Sequence, residues 1–346
     1  MKTKETFQRN IVIDSLRALA IILIILIHAL SLYLGNDSIR NIWDTLQFSV
    51  PLFVFCSSHL FIQKHLNFEH LAILPYLKKR FLRLLLPYYA YLLFILILSI
   101  FTKQITSFSD LVKNIFLVGS VDLSWVVWLF GSLAIIQVLL WYTYKNNKLF
   151  TYISVIIFLA CAIWFTVYRP SIEYRFLLWT TWPLLIIFTF IIYKLKEDME
   201  NIFFLTSFIA VGTACFYWVL LSNGYPVFFY QHKYPPSLYF LMYGALGISI
   251  FYVIIQKIHH FLQPLQPAIH FLSTSSYSLF FIHYAFLEIG KFLHIERSLD
   301  PYLFFLILFS GTILFEIMKE KVIKKIRIPL QDFVKTHSIP FLKTHL

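Results

Sequence analysis

Three ionisable residues near the start of the chain have types and spacing suited to proton chemistry. The sequence runs Asp14-Ser15-Leu16-Arg17, then ten residues made only of Ala, Leu and Ile, then His28. At about 100° per residue on an α-helix, Arg17 and His28 differ by about 20° and Asp14 lies about 60° from Arg17. All three therefore share one stripe, with Arg17 and His28 roughly 16 Å apart along the axis. Histidine titrates near neutrality and can take and return a proton in a reaction. A guanidinium is a permanent cation with a planar fork of donors for carboxylate or phosphate oxygens. A bland alternative has Arg17 reaching back to lipid headgroups while His28 hydrogen-bonds a neighbouring helix. Ionisable groups at membrane depth are costly unless paired, however, and so tend to face a bundle interior and mark function.

The elements that must position these groups are membrane helices. Hydrophobic residues make up 59% of the 346 and charged residues 13%, with a mean hydropathy of +0.75, too little charge for the surface of a soluble domain. A crossing of the hydrocarbon core needs roughly 20 mostly apolar residues. Ten segments approach this: 15–34, 44–63, 84–102, 124–144, 149–168, 175–193, 202–221, 237–256, 271–290 and 301–318. Pro51 and Gln47 weaken the second and Pro183 the sixth, although membrane helices tolerate proline where neighbours satisfy the freed carbonyl. None of the runs alternates as a barrel strand would. The expected fold is an all-α polytopic helical bundle of about ten crossings, one domain over residues 1–346, with a short basic tail from about 319 to 346.

With the N-terminus inside, Lys and Arg divide 20 to 8 between inner and outer loops, and Arg17 lies within the first helix. Basic residues concentrate in cytoplasmic loops, so both termini are expected in the cytoplasm, as an even number of crossings requires. The net charge of +12 is thus a topology signal, and no nucleic-acid partner is expected. The apolar run after Asn10 is long enough to span and has no small-residue cleavage site, which reads as a retained helix. Cys56, Cys161 and Cys215 lie singly in apolar runs, giving neither a disulfide framework nor a metal site.

Four motifs in order carry a family resemblance. Asp14-x-x-Arg17-Ala18-x-Ala20, with ten residues between Arg17 and His28, resembles the opening signature of the membrane-bound acyltransferase-3 family. That family includes bacterial O-acyltransferases of surface polysaccharides and the intercellular-adhesin modification protein. Val50-Pro51-Leu52-Phe53-Val54-Phe55-Cys56-Ser57-Ser58 is similar to its second helix, with Ser58 where a glycine is usual. Arg80-Phe81-Leu82-Arg83, followed by Leu86-Pro87-Tyr88, resembles its R-x-x-R segment. Ser276-Tyr277-Ser278-Leu279-Phe280-Phe281-Ile282-His283 looks like its late helix, with Tyr284 where proline commonly follows. One element departs: Val126-Val127-Trp128-Leu129-Phe130 stands where the family often has a histidine.

The resemblance implies transfer of an acyl group, most simply acetyl, from a cytoplasmic acyl-CoA to a hydroxyl of a cell-surface or lipid-linked glycan. The setting implied is a bacterial plasma membrane. In that reading His28 is the general base, and Arg17, paired with Asp14, orients the stripe or helps bind donor. Arg80 and Arg83, with Lys79, hold the CoA phosphates, although the same basic cluster could simply anchor to anionic lipid. Arg169 and Arg175, beside Tyr168, Trp179 and Trp182, are candidates for contact with the acceptor, or else an interface anchor. Tyr277 and His283 are further candidates for a substrate cavity, with helix–helix bonding as the alternative. Gln137 reads as interhelical glue, and His59 and Glu316 as helix-end groups, solvated or paired. No permanent cofactor and no metal is expected. A transporter of a glycan or small solute is the rival class, since intramembrane Arg and His also mark transport paths, although few glycines and no visible repeat argue against it.

Overall fold

The computed structural model describes residues 10–66, 71–102, 108–118, 123–168, 170, 180–295 and 298–336. Among these residues twelve α-helices follow one another: α1 Ile11–Leu30, α2 Asp37–Thr45, α3 Ser49–His65, α4 Ile73–Thr102, α5 Phe108–Ile115, α6 Ser124–Asn146, α7 Lys148–Val167, α8 Pro183–Leu195, α9 Met199–Ser222, α10 Leu238–Ile258, α11 Gln266–Phe292 and α12 Pro301–Thr336. No β-strand occurs among the described residues.

Each of the ten expected crossings falls on a helix. Among the described residues eight helices are long and apolar enough to span a bilayer, with α2 and α3 counted as one. The other two are instructive. The crossing expected over 175–193 is helical from Pro183 onward, where proline at the first helical position loses no hydrogen bond. The α11 helix is long, but its serines, Tyr277 and His283 dilute its apolar character. The last helix does not stop near 318 but continues to Thr336, through a Lys-rich stretch.

The first helix is the axis of the bundle. Asn10 caps it, its side chain accepting the Val12 N–H, which satisfies an orphan donor at the helix start. It packs most extensively on α11, then on α3 and α12, and its Ile13, Leu16, Ile21 and Ile25 are fully buried. An apolar helix can face lipid or protein, and this one has 67% of its apolar stretch buried, against 17% for α7 and α9. Close approach fixes the neighbours. Gly244 and Gly247 of α10 lie against Pro51 and Phe48, where an added Cβ would sit 2.7 Å from the ring atoms, so small residues let α10 press onto the start of α3.

Candidate active site

The chemistry divides between the two ends of α1. At the Arg17 end, Arg17 is only 4% exposed, so it does not snorkel. Its guanidinium lies 5.4 Å from the Phe53 ring centroid and 5.3 Å from that of Tyr277. The expected pairing with Asp14 does not form. The Asp14 carboxylate accepts the Ser273 hydroxyl of α11 at 2.6 Å, and among the described residues no carboxylate lies within ion-pair distance of Arg17. The offset between Asp14 and Arg17 on the helix turns the first toward α11 and the second toward the rings. One guanidinium nitrogen of Arg17, Nη2, is buried without a hydrogen-bond partner among the described residues.

Arg80 and Arg83, one helical turn apart on α4, bring two more cations to the same place. The Arg83 guanidinium lies 5.4 Å from the same Tyr277 ring centroid and donates to the Thr274 carbonyl at 2.8 Å. Arg80 is held by a polar network: its Nε donates to the Tyr76 hydroxyl at 3.2 Å and its Nη1 reaches the Ser57 hydroxyl at 3.4 Å. Tyr76 in turn donates to Gln137 at 3.1 Å, and Gln137 donates to Ser58 at 3.0 Å. Gln137 is thus interhelical glue, and Ser57 and Ser58 have a polar role in the segment where the family pattern has glycine. Arg17, Lys64, Lys79, Arg80 and Arg83 border one cavity of about 400 Å³. Beside it stand three mutually packed rings, Phe53, Phe130 and Tyr277, with centroids 5.2 to 5.7 Å apart.

At the His28 end the imidazole is gripped by consecutive residues of α11. His28 Nδ1 lies 3.0 Å from His283 Nε2, and His28 Nε2 lies 2.7 Å from the Tyr284 hydroxyl. His283 Nδ1 lies 3.2 Å from the Leu279 carbonyl oxygen. A carbonyl only accepts, which assigns the proton pattern throughout. His283 Nδ1–H donates to Leu279, His28 Nδ1–H donates to the bare His283 Nε2, and Tyr284 donates to the bare His28 Nε2. Neighbouring side chains on a helix diverge by about 100°, which lets His283 and Tyr284 reach opposite edges of one ring.

The sequence-predicted residues therefore sort by position. His283 joins His28, whereas Tyr277, earlier on α11, joins Arg17 and Arg83. Lys79 is exposed at the cavity rim. Arg169 and Arg175 lie outside the described residues. His59 is not solvated but buried in α3, while Glu316 is buried and ion-paired with Lys319. Sequence reasoning missed Tyr284, noting it only as a departure from proline, and gave Tyr76 and Ser273 no role.

A comparison with protein-family models finds a match to the acyltransferase-3 family, described as an acyltransferase domain, over residues 10–318. The chain belongs to this family. The match spans both ends of α1, the R-x-x-R segment and α11, and it supports acyl transfer as the class of activity. Searches of curated proteins and of solved structures return no match.

Proposed function

We propose that this acyltransferase moves an acyl group, most simply acetyl, from acyl-CoA at the Arg17 end to a hydroxyl of a cell-surface or lipid-linked glycan at the His28 end. The carrying observation is that His28 presents a bare Nε2, in a tautomer fixed by His283 and Leu279, at the opposite end of α1 from a cavity bordered by three guanidiniums. A donor with phosphates at one end and a thioester at the end of a long flexible arm suits this separation. The phosphates dock on Arg80, Arg83 and Lys79, for which Arg forks are well matched. The pantetheine arm displaces the Phe53–Phe130–Tyr277 rings and delivers the thioester over the roughly 16 Å to His28.

There the acceptor hydroxyl takes the place of the Tyr284 hydroxyl on His28 Nε2. Its oxygen bonds to the thioester carbon as its proton passes to Nε2. His283 accepts from Nδ1–H and supports the imidazolium that forms. The carbon–sulfur bond then breaks, and the CoA thiolate leaves with the proton that His28 held. Arg169 and Arg175 contact the acceptor in this scheme. The charge asymmetry between loops supports both termini lying in the cytoplasm, so the donor arrives from inside; a bacterial plasma membrane is the setting the family resemblance implies.

The test is His28→Ala in everted membrane vesicles supplied with radiolabelled acetyl-CoA, reading CoA thiol release and label in envelope glycan. Loss of general-base catalysis predicts a fall of roughly 10²- to 10⁴-fold. Wild-type label transfer by this variant would refute the assignment.

A further inference from the structure

Acyl transfer from a thioester places negative charge on the carbonyl oxygen as the acceptor adds. A general base at His28 does nothing for that charge. Arg17, Arg80 and Arg83 gather at the other end of α1, and His28, His283 and Tyr284 are occupied with one another. Lys291 is half-exposed and already paired with Glu288 at 2.7 Å.

Among the described residues one further buried cation stands out, on the segment that joins α9 to α10. This segment folds back into the bundle and is tied down at several points. The Asp44 carboxylate at the end of α2 accepts the backbone N–H groups of Phe229 and Tyr230 at 2.9 and 2.8 Å. The His232 ring nitrogens meet the Pro226 carbonyl at 2.8 Å and the Ser237 hydroxyl at 3.1 Å. Thr181 donates to the Pro236 carbonyl at 2.7 Å, and Tyr243 donates to the Thr45 carbonyl. This scaffold carries Lys233, which is 6% exposed.

The Lys233 ammonium has three donors, and among the described residues it meets one acceptor, Gln47 Oε1, at 2.9 Å. Gln47 is fully buried and anchored through its own amide to the Trp43 carbonyl. The Tyr234 ring lies 5.3 Å away, and among the described residues no carboxylate is within ion-pair distance. Burial lowers the Lys233 pKa from its ordinary value to about 7. Folding alone does not favour such an arrangement, since an ammonium out of water without a counter-charge is destabilising. The turn Leu46–Phe48, which carries Gln47, packs against α1, and this brings Lys233 to the helix that bears His28. Lys233 is therefore a rigidly held donor, short of acceptors among the described residues, beside the helix that carries the imidazole.

We infer that Lys233, positioned by Gln47, is a catalytic residue whose ammonium stabilises the oxyanion formed from the acyl carbonyl at His28. The inference rests on the acyl-transfer reading above. In the step, the acceptor oxygen bonds to the carbonyl carbon and its proton goes to His28 Nε2. The carbonyl π pair moves onto oxygen, where Lys233 donates to it. The pair returns as the carbon–sulfur bond breaks, and the thiolate takes the proton from His28. A donor fixed before the reaction, at the point where charge develops, is among the strongest contributions a protein makes to such catalysis.

The experiment compares Lys233→Met, Lys233→Arg and His28→Ala in the full chain, using acetyl-CoA as donor probe in everted vesicles and thermal melting of the purified proteins. The expected result for Lys233→Met is a fall in kcat of roughly 10²- to 10³-fold. The KM for acetyl-CoA stays unchanged and the melting temperature is at or above that of the wild type. Lys233→Arg, which keeps a cation, recovers at least about tenfold over Lys233→Met. Lys233→Met/Gln47→Leu, which leaves no unsatisfied amide, tests folding independently and is expected to melt no lower than Lys233→Met alone. A Lys233→Met enzyme within about threefold of wild type, beside an inactive His28→Ala, overturns the role of Lys233 and leaves the parent reading intact. Activity lost in proportion to a lower melting temperature in both Met variants overturns it as well, by showing a structural role. A fully active His28→Ala brings down the parent reading instead.

Discussion

The two ends of α1 are built on opposite plans. The Arg17 end gathers like charges around an open cavity, with long side chains, one unsatisfied guanidinium nitrogen and rings in contact with cations rather than anions. The His28 end is closed and directional: among the described residues every ring nitrogen of His28 and His283 has a partner, and the donors run in a line to a backbone carbonyl. The first arrangement accommodates a large flexible polyanion, because electrostatic attraction tolerates imprecise geometry. The second holds one lone pair in one place, which proton transfer demands. Affinity and turnover are accordingly expected to depend on different residues.

Substitutions can break or sharpen that division. The largest effect is expected for Arg80→Ala/Arg83→Ala, which removes charge-assisted hydrogen bonds worth about 1.5 to 3 kcal/mol each. The KM for acyl-CoA should rise roughly 100-fold or more while kcat stays within a few-fold, measured by initial rates of CoA release. His283→Ala should do the reverse, lowering kcat by roughly 100-fold, at the lower end of an acid–base contribution and through loss of the tautomer, with KM for acyl-CoA unmoved. Combining Arg83→Ala with His283→Ala should give additive free energies to within about 0.5 kcal/mol, as expected for sites well over 10 Å apart. Strong coupling in that cycle would show that the ends act as one unit. Tyr284→Phe should lower kcat by less than about tenfold, since the acceptor replaces its hydroxyl on His28.

The smallest expected effect is on stability. The Lys233 pKa of about 7 in the folded chain lies below the value near 10.4 of an unfolded lysine. Well below pH 7 both states are charged and the folded state bears the full cost of burial. Between about pH 7 and 10.4 the unfolded chain binds more protons, so stability rises with pH through that window. Among the described residues, the groups against the Lys233 ammonium are Gln47 and the Tyr234 ring. The melting temperature should climb by a few degrees from pH 7 to 10, and Lys233→Met should flatten the climb.

How far this was legible in the sequence depended on whether a feature was local. Among the described residues eight of the expected crossings lie on helices long and apolar enough to span, because the length needed to cross a bilayer is written in consecutive residues. The stripe of Arg17 and His28 followed from helical periodicity alone. Their partners did not. His283 and Tyr284 lie about 255 positions away on α11, and no spacing rule links helices so distant. A pairing of Asp14 with Arg17 was a local expectation that a distant hydroxyl, Ser273, overrode. Lys233 was misjudged for the opposite reason. In a charge count it is one more loop lysine, yet its burial depends on the Asp44 carboxylate capturing two amides of its segment.

The three rings between the ends of α1 have a consequence for the cell rather than for the reaction. Phe53, Phe130 and Tyr277 pack edge to face beside a pocket with room for about one water molecule. A bundle that conducts a polar arm between two aqueous compartments is, in the resting state, a potential leak for protons and salts. Aromatic rings in mutual contact interrupt any continuous file of water. In the proposed reading the same side chains that yield to the donor's arm thus act as insulation, keeping the membrane's electrical gradient intact between turnovers.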